Sequence, residues 1–287
     1  MSRETFGARL AAAMDALGPL CVGVDPHPSL LAAWGLPDDT AGLRSFALTT
    51  LEAVAGVVPA VKPQAAFFER HGSRGVAVLE EVVAAGRDLG LLVVVDAKRG
   101  DIGSTMAAYA DAYLRDGSPL AGDALTVSPY LGFGSLGPAV AAAEESGRGL
   151  FVLALTSNPE GASVQHARSD DGMPVAVGMA HAAAALNAAE RARSGARLGS
   201  VGLVVGATVG DAAARLGLDL AAVGGPLLAP GVGAQGAGPA ELARVFGDAR
   251  GAVLASSSRG VLAAGPDPVA LRGAAARARD EAAAALR

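Results

Sequence analysis

The stretch VVVDAKRGDIGST, residues 93–105, is an unbroken β-branched run that ends abruptly in alternating charge. An apolar run without polar alternation suits a strand buried on both faces, as in a parallel sheet covered by helices. Runs of the same kind recur along the chain: LCVGVD at 20–25, PAVKP at 59–63, LLVVVD at 91–96, DALTVS at 123–128, LFVLALT at 150–156, VGLVVG at 201–206, PLLAP at 226–230 and AVLAS at 252–256. Parallel strands need long crossovers, and the intervening segments carry helical periodicity. Leu43, Phe46, Ala47, Leu51 and Val54 form one stripe, and Val76, Leu79, Val82 and Val83 form another. Eight strand–helix units in 287 residues predict an α/β chain folded as one (β/α)8 TIM barrel over residues 1–287, its site at the C-terminal ends of the strands. A doubly wound open sheet is the alternative that composition alone leaves standing.

Local signals sharpen the later units. Asp267 before Pro268 reads as an N-cap with proline at the first helical position, so the last element is a helix running toward the C-terminus. Gly238–Pro239 opens another helix, which Gly247 ends. The polar, turn-rich NPEGASVQHARSDDGMP after the fifth strand reads as a loop over the barrel mouth, before a helix around 175–193. Arginines in the tail AAARARDEAAAALR interleave with alanine at helical spacing, which predicts a solvated helix and not a basic arm.

Composition narrows the function classes. With 51% hydrophobic residues the chain can bury a large core, and a net charge of -5 argues against a nucleic-acid footprint or a polybasic membrane anchor. One cysteine, Cys21, can form no internal disulfide, and His27, His71, His166 and His181 show no zinc-ligand spacing with it, so no metal site is expected. A reducing cytoplasm is the expected location. The opening MSRETFGARLAAAMDALGPL is too polar for a signal peptide, and no apolar run reaches membrane-spanning length.

Charge at the strand ends marks the chemistry. Residues two apart on a strand share a face, so Asp96 and Lys98 should project together into the mouth, with Lys62 at the end of the second strand and Asp101 close behind. Such charges are costly unless paired, and clusters of this kind concentrate at functional sites; the bland reading is an ion-pair network that plugs the barrel. APGVGAQGAG at 229–238 and SSSRG at 256–260 follow the seventh and eighth strands, the usual phosphate site of this barrel. Glycine-rich turns offer backbone N–H groups to an anion and Arg259 adds a bidentate donor, although a plain tight turn would read alike.

In these motifs the chain resembles the orotidine 5′-phosphate decarboxylase family, in the spacing of its longer bacterial branch. The resemblance rests on VGVDP, AVKPQAAFFE (60–69), DAKRGDIGST (96–105), LTSNPEG (155–161), GLVVGAT (202–208), PGVGAQG (230–236) and SSSRG, in family order. It implies a cofactor-free lyase that converts orotidine 5′-monophosphate (OMP) to UMP and CO2, working as a homodimer with shared sites. Lys62, Asp96, Lys98 and Asp101 look like the family's Lys–Asp–Lys–Asp array, with Lys98 the proton donor to C6 and Asp101 reaching into the partner subunit's site. Asp25 matches the residue that binds a ribose hydroxyl, and Thr105 its counterpart from the neighbouring subunit. Ser157 aligns with the contact to the pyrimidine, and Gln235 and Arg259 with the phosphate grip. Ile102, Pro230 and Val232 are expected on the apolar side of the base pocket, with core packing as their alternative.

Two rivals remain at this point. A magnesium-dependent sugar-phosphate enzyme of the same barrel also carries Asp-x-Lys-x-x-Asp, but its relatives place a metal-holding glutamate where this chain has Lys62, and a cation there opposes metal binding. A silent nucleotide-binding protein on this scaffold is the other. His71 and His166 are expected at the surface, His27 near the mouth without a partner, Cys21 as a small buried residue, and Trp34 beneath the first loop. Asp123 could cap a turn or reach the site.

Overall fold

The computed structural model describes residues 3–232 and 237–287. Eight parallel strands close into a barrel in chain order: β1 (Leu20–Val24), β2 (Ala60–Pro63), β3 (Leu92–Arg99), β4 (Ala124–Val127), β5 (Gly149–Leu155), β6 (Val201–Val205), β7 (Leu227–Pro230) and β8 (Val253–Ser257). β1 pairs with β8 through Leu20↔Ala255 and Cys21↔Ser256, so no sheet edge is left and the open-sheet alternative falls. The eight apolar runs are the eight strands. The largest departure is β3, which continues through the charged segment to Arg99 with a register shift against β4 between Val95 and Arg99.

Burial on both faces explains the missing alternation. Residues on the outer faces, such as Val22, Val61, Val93, Val95, Leu125 and Leu203, pack against the surrounding helices. Inward residues build a separate cluster from Cys21, Ala60, Val94, Ala124, Phe151, Val204, Leu228 and Leu254. Small residues on three strands make room for Phe151, so the barrel is filled and not a pore. The helix Phe6–Leu17 seals the bottom, inserting Phe6, Leu10 and Met14 into this cluster, with the Phe6 ring edge-on to Phe151 at 5.9 Å. The segment that reads as too polar for a signal peptide is therefore the barrel's plug, with Asp15 exposed and Arg9 turned under the barrel onto Asp123.

The capping signals act as their chemistry predicts. Asp267 accepts from the Ala270 N–H at 2.9 Å and opens the helix Pro268–Ala285; Glu241 accepts from the Gly238 N–H at 2.8 Å and braces Pro239–Phe246. The polar segment after β5 folds into a turn at Pro159–Gly161, a short helix Ala162–Gln165 and a bridge between Arg168 and Pro174, before the helix Val175–Ser194. Trp34 packs on Phe46 and donates to the Leu262 carbonyl at 2.9 Å. Asp123 faces the bottom, where it pairs with Arg9 and accepts from the Val93 N–H at 3.0 Å, far from the mouth. His71 is not a surface group: its side chain is only 12% exposed, because the fold lays it against Asp38. No helix of the described residues is long and apolar enough to cross a membrane.

Candidate active site

The mouth of the barrel holds a cavity of about 350 Å³, lined by the ends of the strands and the loops that follow them. Its floor and one wall are charged. Lys62 on β2 and Asp96 on β3 are each 6% exposed, and the Lys62 ammonium lies 2.8 Å from Asp96 Oδ2. Asp96 Oδ1 takes the Lys98 ammonium at 2.6 Å and the Thr126 hydroxyl at 2.8 Å. Asp25, at the end of β1, stands 4.0 Å from Lys62 and keeps its Oδ1 buried with no hydrogen-bond partner among the described residues.

The arrangement fixes charge states. Burial alone would raise the Asp96 carboxyl, yet Lys62 and Lys98 together hold it well below the usual carboxylate range. Burial alone would lower Lys62, but Asp96 and Asp25 outweigh it and hold the ammonium above the ordinary lysine value. Near neutrality the cavity therefore presents a locked carboxylate between two cations. Cys21, below it in the barrel, is pushed up to about 12 by burial and stays a thiol.

Lys98 meets Asp96 by a route that strand alternation does not supply. Among the described residues it is the one non-glycine with a left-handed backbone, at φ 47°. Its N–H donates to the Thr126 hydroxyl at 2.9 Å, and its side chain is 44% exposed, so the ammonium stands at the open side of the array. Across the mouth, Ser256 and Ser257 at the end of β8 and Ser258, Arg259 and Gly260 after it line the cavity. Gly23 on β1 makes that approach possible, since a Cβ there would lie 1.9 Å from Ser258 Oγ.

Of the residues singled out by sequence, Asp25, Lys62, Asp96, Lys98, Ser157, Pro230, Val232 and Arg259 line this one cavity. Asp101, Ile102 and Thr105 do not. After the left-handed turn the chain leaves the mouth: among the described residues Asp101 Oδ1 accepts only its neighbour's N–H, from Ile102 at 2.8 Å, and Ile102 is 61% exposed. Ile102 therefore does not line the base pocket of its own chain, a correction that follows from the direction of the turn. Gln235 lies outside the described residues. Sequence reading missed Thr126, which shares Asp96 with both lysines; a lone hydroxyl in the otherwise apolar ALTV of β4 was its signal. It also missed Asn158, which lines the cavity; His27, expected near the mouth without a partner, lines it as well and sets its ring 4.2 Å from that of Phe67.

Both oxygens of Asp96 are occupied by cations, so this donor set does not fit a divalent metal, which would have to displace two ammonium groups. Among the described residues there is also no group of three His, Cys, Asp or Glu side chains placed to hold one.

Comparison with known proteins agrees in sequence and in fold. Residues 18–274 match the model of the Orotidine 5′-phosphate decarboxylase / HUMPS family. An orotidine 5′-phosphate decarboxylase of Streptomyces coelicolor is 62% identical over 274 residues, covering 96% of this chain and 95% of the relative. One from Salinispora tropica is 59% identical, with 99% of each chain covered. A crystal structure from Streptomyces avermitilis superposes with a TM-score of 0.93 at 62% identity, over 100% of this chain and 97% of the other. The OMP decarboxylase of Leishmania donovani gives 0.73 at 31% identity, over 98% of both.

Proposed function

The chain belongs to the orotidine 5′-phosphate decarboxylase / HUMPS family and carries that decarboxylase activity, and we propose that it runs the reaction without metal or organic cofactor, by the charged array around Lys98. The observation that carries this reading is the Lys62–Asp96–Lys98 chain of ion pairs, at 2.8 and 2.6 Å, in the wall of the cavity.

Loss of CO2 from C6 of the pyrimidine leaves an electron pair in an in-plane orbital that the ring cannot delocalise. Without an electron sink, the site must supply stabilisation by charges set in advance. In this reading the substrate carboxylate lies beside Asp96, whose charge opposes it until the C6–carboxylate bond breaks. The pair left at C6 is stabilised by the Lys98 ammonium, which then gives its proton to C6 to complete UMP and is reprotonated by water. Lys62 and Thr126 keep Asp96 ionised and oriented, so the array needs no rearrangement as charge develops. Arg259, with Gln235, grips the phosphate; Asp25 accepts from a ribose hydroxyl; Ser157 meets the pyrimidine; Pro230 and Val232 cover its apolar side. Binding at the phosphate end helps assemble the reacting end, so losing Arg259 lowers rate as well as affinity.

The active unit is inferred to be a homodimer of single-barrel chains. What supports it is that Asp101 and Thr105 do not line their own cavity while Ile102, Tyr130 and Leu131 stand 61%, 75% and 53% exposed. An apolar surface at the mouth with unused polar residues beside it suits a second copy that receives them.

The test is the ultraviolet absorbance change of OMP with chelator-treated protein. Wild type should turn over at full rate, while Lys98→Ala loses about 10²–10⁴-fold or more with UMP binding retained. Activity that requires magnesium, or appears only on a sugar phosphate, would transfer the chain to the metal-dependent branch. Tight UMP binding without turnover would make it a silent binder.

A further inference from the structure

We propose that Arg99, which lies outside the cavity, is a positioning residue for the decarboxylation: its guanidinium clamps the left-handed turn that presents Lys98. This inference rests on the role given to Lys98 above. A non-glycine residue in the left-handed region is strained and persists only where its surroundings over-determine it. Lys98 adopts that conformation at the register shift where β3 loses its regular pairing with β4. The turn is bound on its strand side by the Lys98 N–H to Thr126 and by the Ser128 N–H to the Arg99 carbonyl at 2.8 Å. It is also pinned behind by Gly100, where a Cβ would lie 2.2 Å from the Ser128 carbonyl. The remaining restraint comes from the Arg99 side chain.

Arg99 Nη1 donates to the Ala97 carbonyl at 3.2 Å, closing a ring around the backbone of Lys98 from the residue before it to the residue after. Nη2 pairs with Glu69 and bonds the Tyr113 hydroxyl at 3.1 Å, while the guanidinium carbon sits 5.6 and 5.4 Å from the Tyr109 and Tyr113 ring centres. Each contact belongs to a segment of the site. Glu69 ends the helix Ala65–Glu69, which begins just after Gln64, the residue bridged to Asp96; Tyr109 and Tyr113 lie on the helix Gly103–Leu114, just after Asp101. One planar fork thus ties the segment after Lys62, the turn of Lys98 and the helix after Asp101. A lysine could supply the charge there but not the fork. Nε is buried with no partner among the described residues, a cost that a simple surface ion pair would not carry.

The test measures the single-turnover decarboxylation rate, the UMP dissociation constant and the melting temperature for Arg99→Met and Arg99→Lys. The control is Arg148→Met, which removes a buried arginine at the barrel's opposite end, where Arg148 donates to the Gly122 carbonyl at 2.8 Å and pairs with Asp116. We expect Arg99→Met to lower the rate about 10- to 100-fold, as displacement of a reacting group by an ångström does. UMP affinity should stay within about threefold, because the phosphate grip lies across the mouth. Arg99→Lys should recover part of the rate, and Arg148→Met should melt earlier with the wild-type rate. If Arg99→Met does not fold, Glu69→Gln and Tyr113→Phe, each removing one arm of the clamp, should lower the rate in the same sense. A wild-type rate in folded Arg99→Met, or equal losses of rate and UMP affinity, would overturn the proposal. A Lys98→Ala chain as active as wild type would instead overturn the reading of Lys98 on which it rests.

Discussion

Asp96 is the residue on which the site turns, since each of its oxygens is shared with a cation and Thr126 adds a third bond. Thr126→Val removes that donor and also the acceptor of the Lys98 N–H, so it should cost about 1–3 kcal/mol of stability and lower the turnover rate about tenfold with UMP affinity retained. Denaturant titration beside single-turnover kinetics checks both. The charge states give a pH prediction as well. Asp96 is depressed in the folded chain, so its contribution is present above the unfolded value of about 3.9 and is lost as pH falls through the folded one. Lys62 is raised, so its contribution is present below the unfolded value of about 10.4 and is lost only as pH rises through the folded one. The stability gap between wild type and Asp96→Asn should therefore be level near neutrality and narrow below about pH 4. A gap constant down to pH 3.5 would mean that folding leaves this carboxyl unperturbed. At this scale residue types were legible: charges at the ends of apolar runs named Lys62, Asp96 and Lys98. Their connection was not, because a left-handed φ at a lysine has no sequence signal.

At the scale of elements, each strand was legible from its length, apolarity and missing alternation. Helix caps were equally so, because Asp267–Pro268 and Gly238–Pro239–Ala240–Glu241 satisfy backbone donors locally. The plug was not. Nothing in FGARLAAAMDAL says that its apolar stripe faces the inside of a barrel and not its flank. Phe6 is fully buried against Phe151, so Phe6→Ala should cost about 3–5 kcal/mol, read as a lower denaturation midpoint, while the folded fraction keeps its turnover rate. A fall in rate without a fall in stability would show that the plug couples to the mouth. The turn after Lys98 illustrates the opposite case: a short element whose direction removes Ile102 from the pocket that its sequence position had given it.

For the whole molecule, closure of the barrel brings Asp25, Lys62, Asp96, Ser157, Pro230 and Arg259 around one cavity from positions more than 200 residues apart. It leaves Asp101 and Thr105 outside. If the second copy supplies them, mixing a Lys98→Ala chain with an Asp101→Ala chain should restore part of the activity, since one of the two shared sites in the mixed dimer is then intact. Mixing that restores nothing would place both residues in the same chain's site. The sequence by itself determined the number and order of the strands, the helix caps and the residue types of the chemistry, because strand burial, capping and motif spacing are written in near neighbours. Only the tertiary structure decided that the sheet closes, that Thr126 joins the array, that Arg99 braces it and that Ile102 turns away. These depend on strand register and backbone twist between distant segments, where a few ångströms choose the partner and no local pattern records the choice.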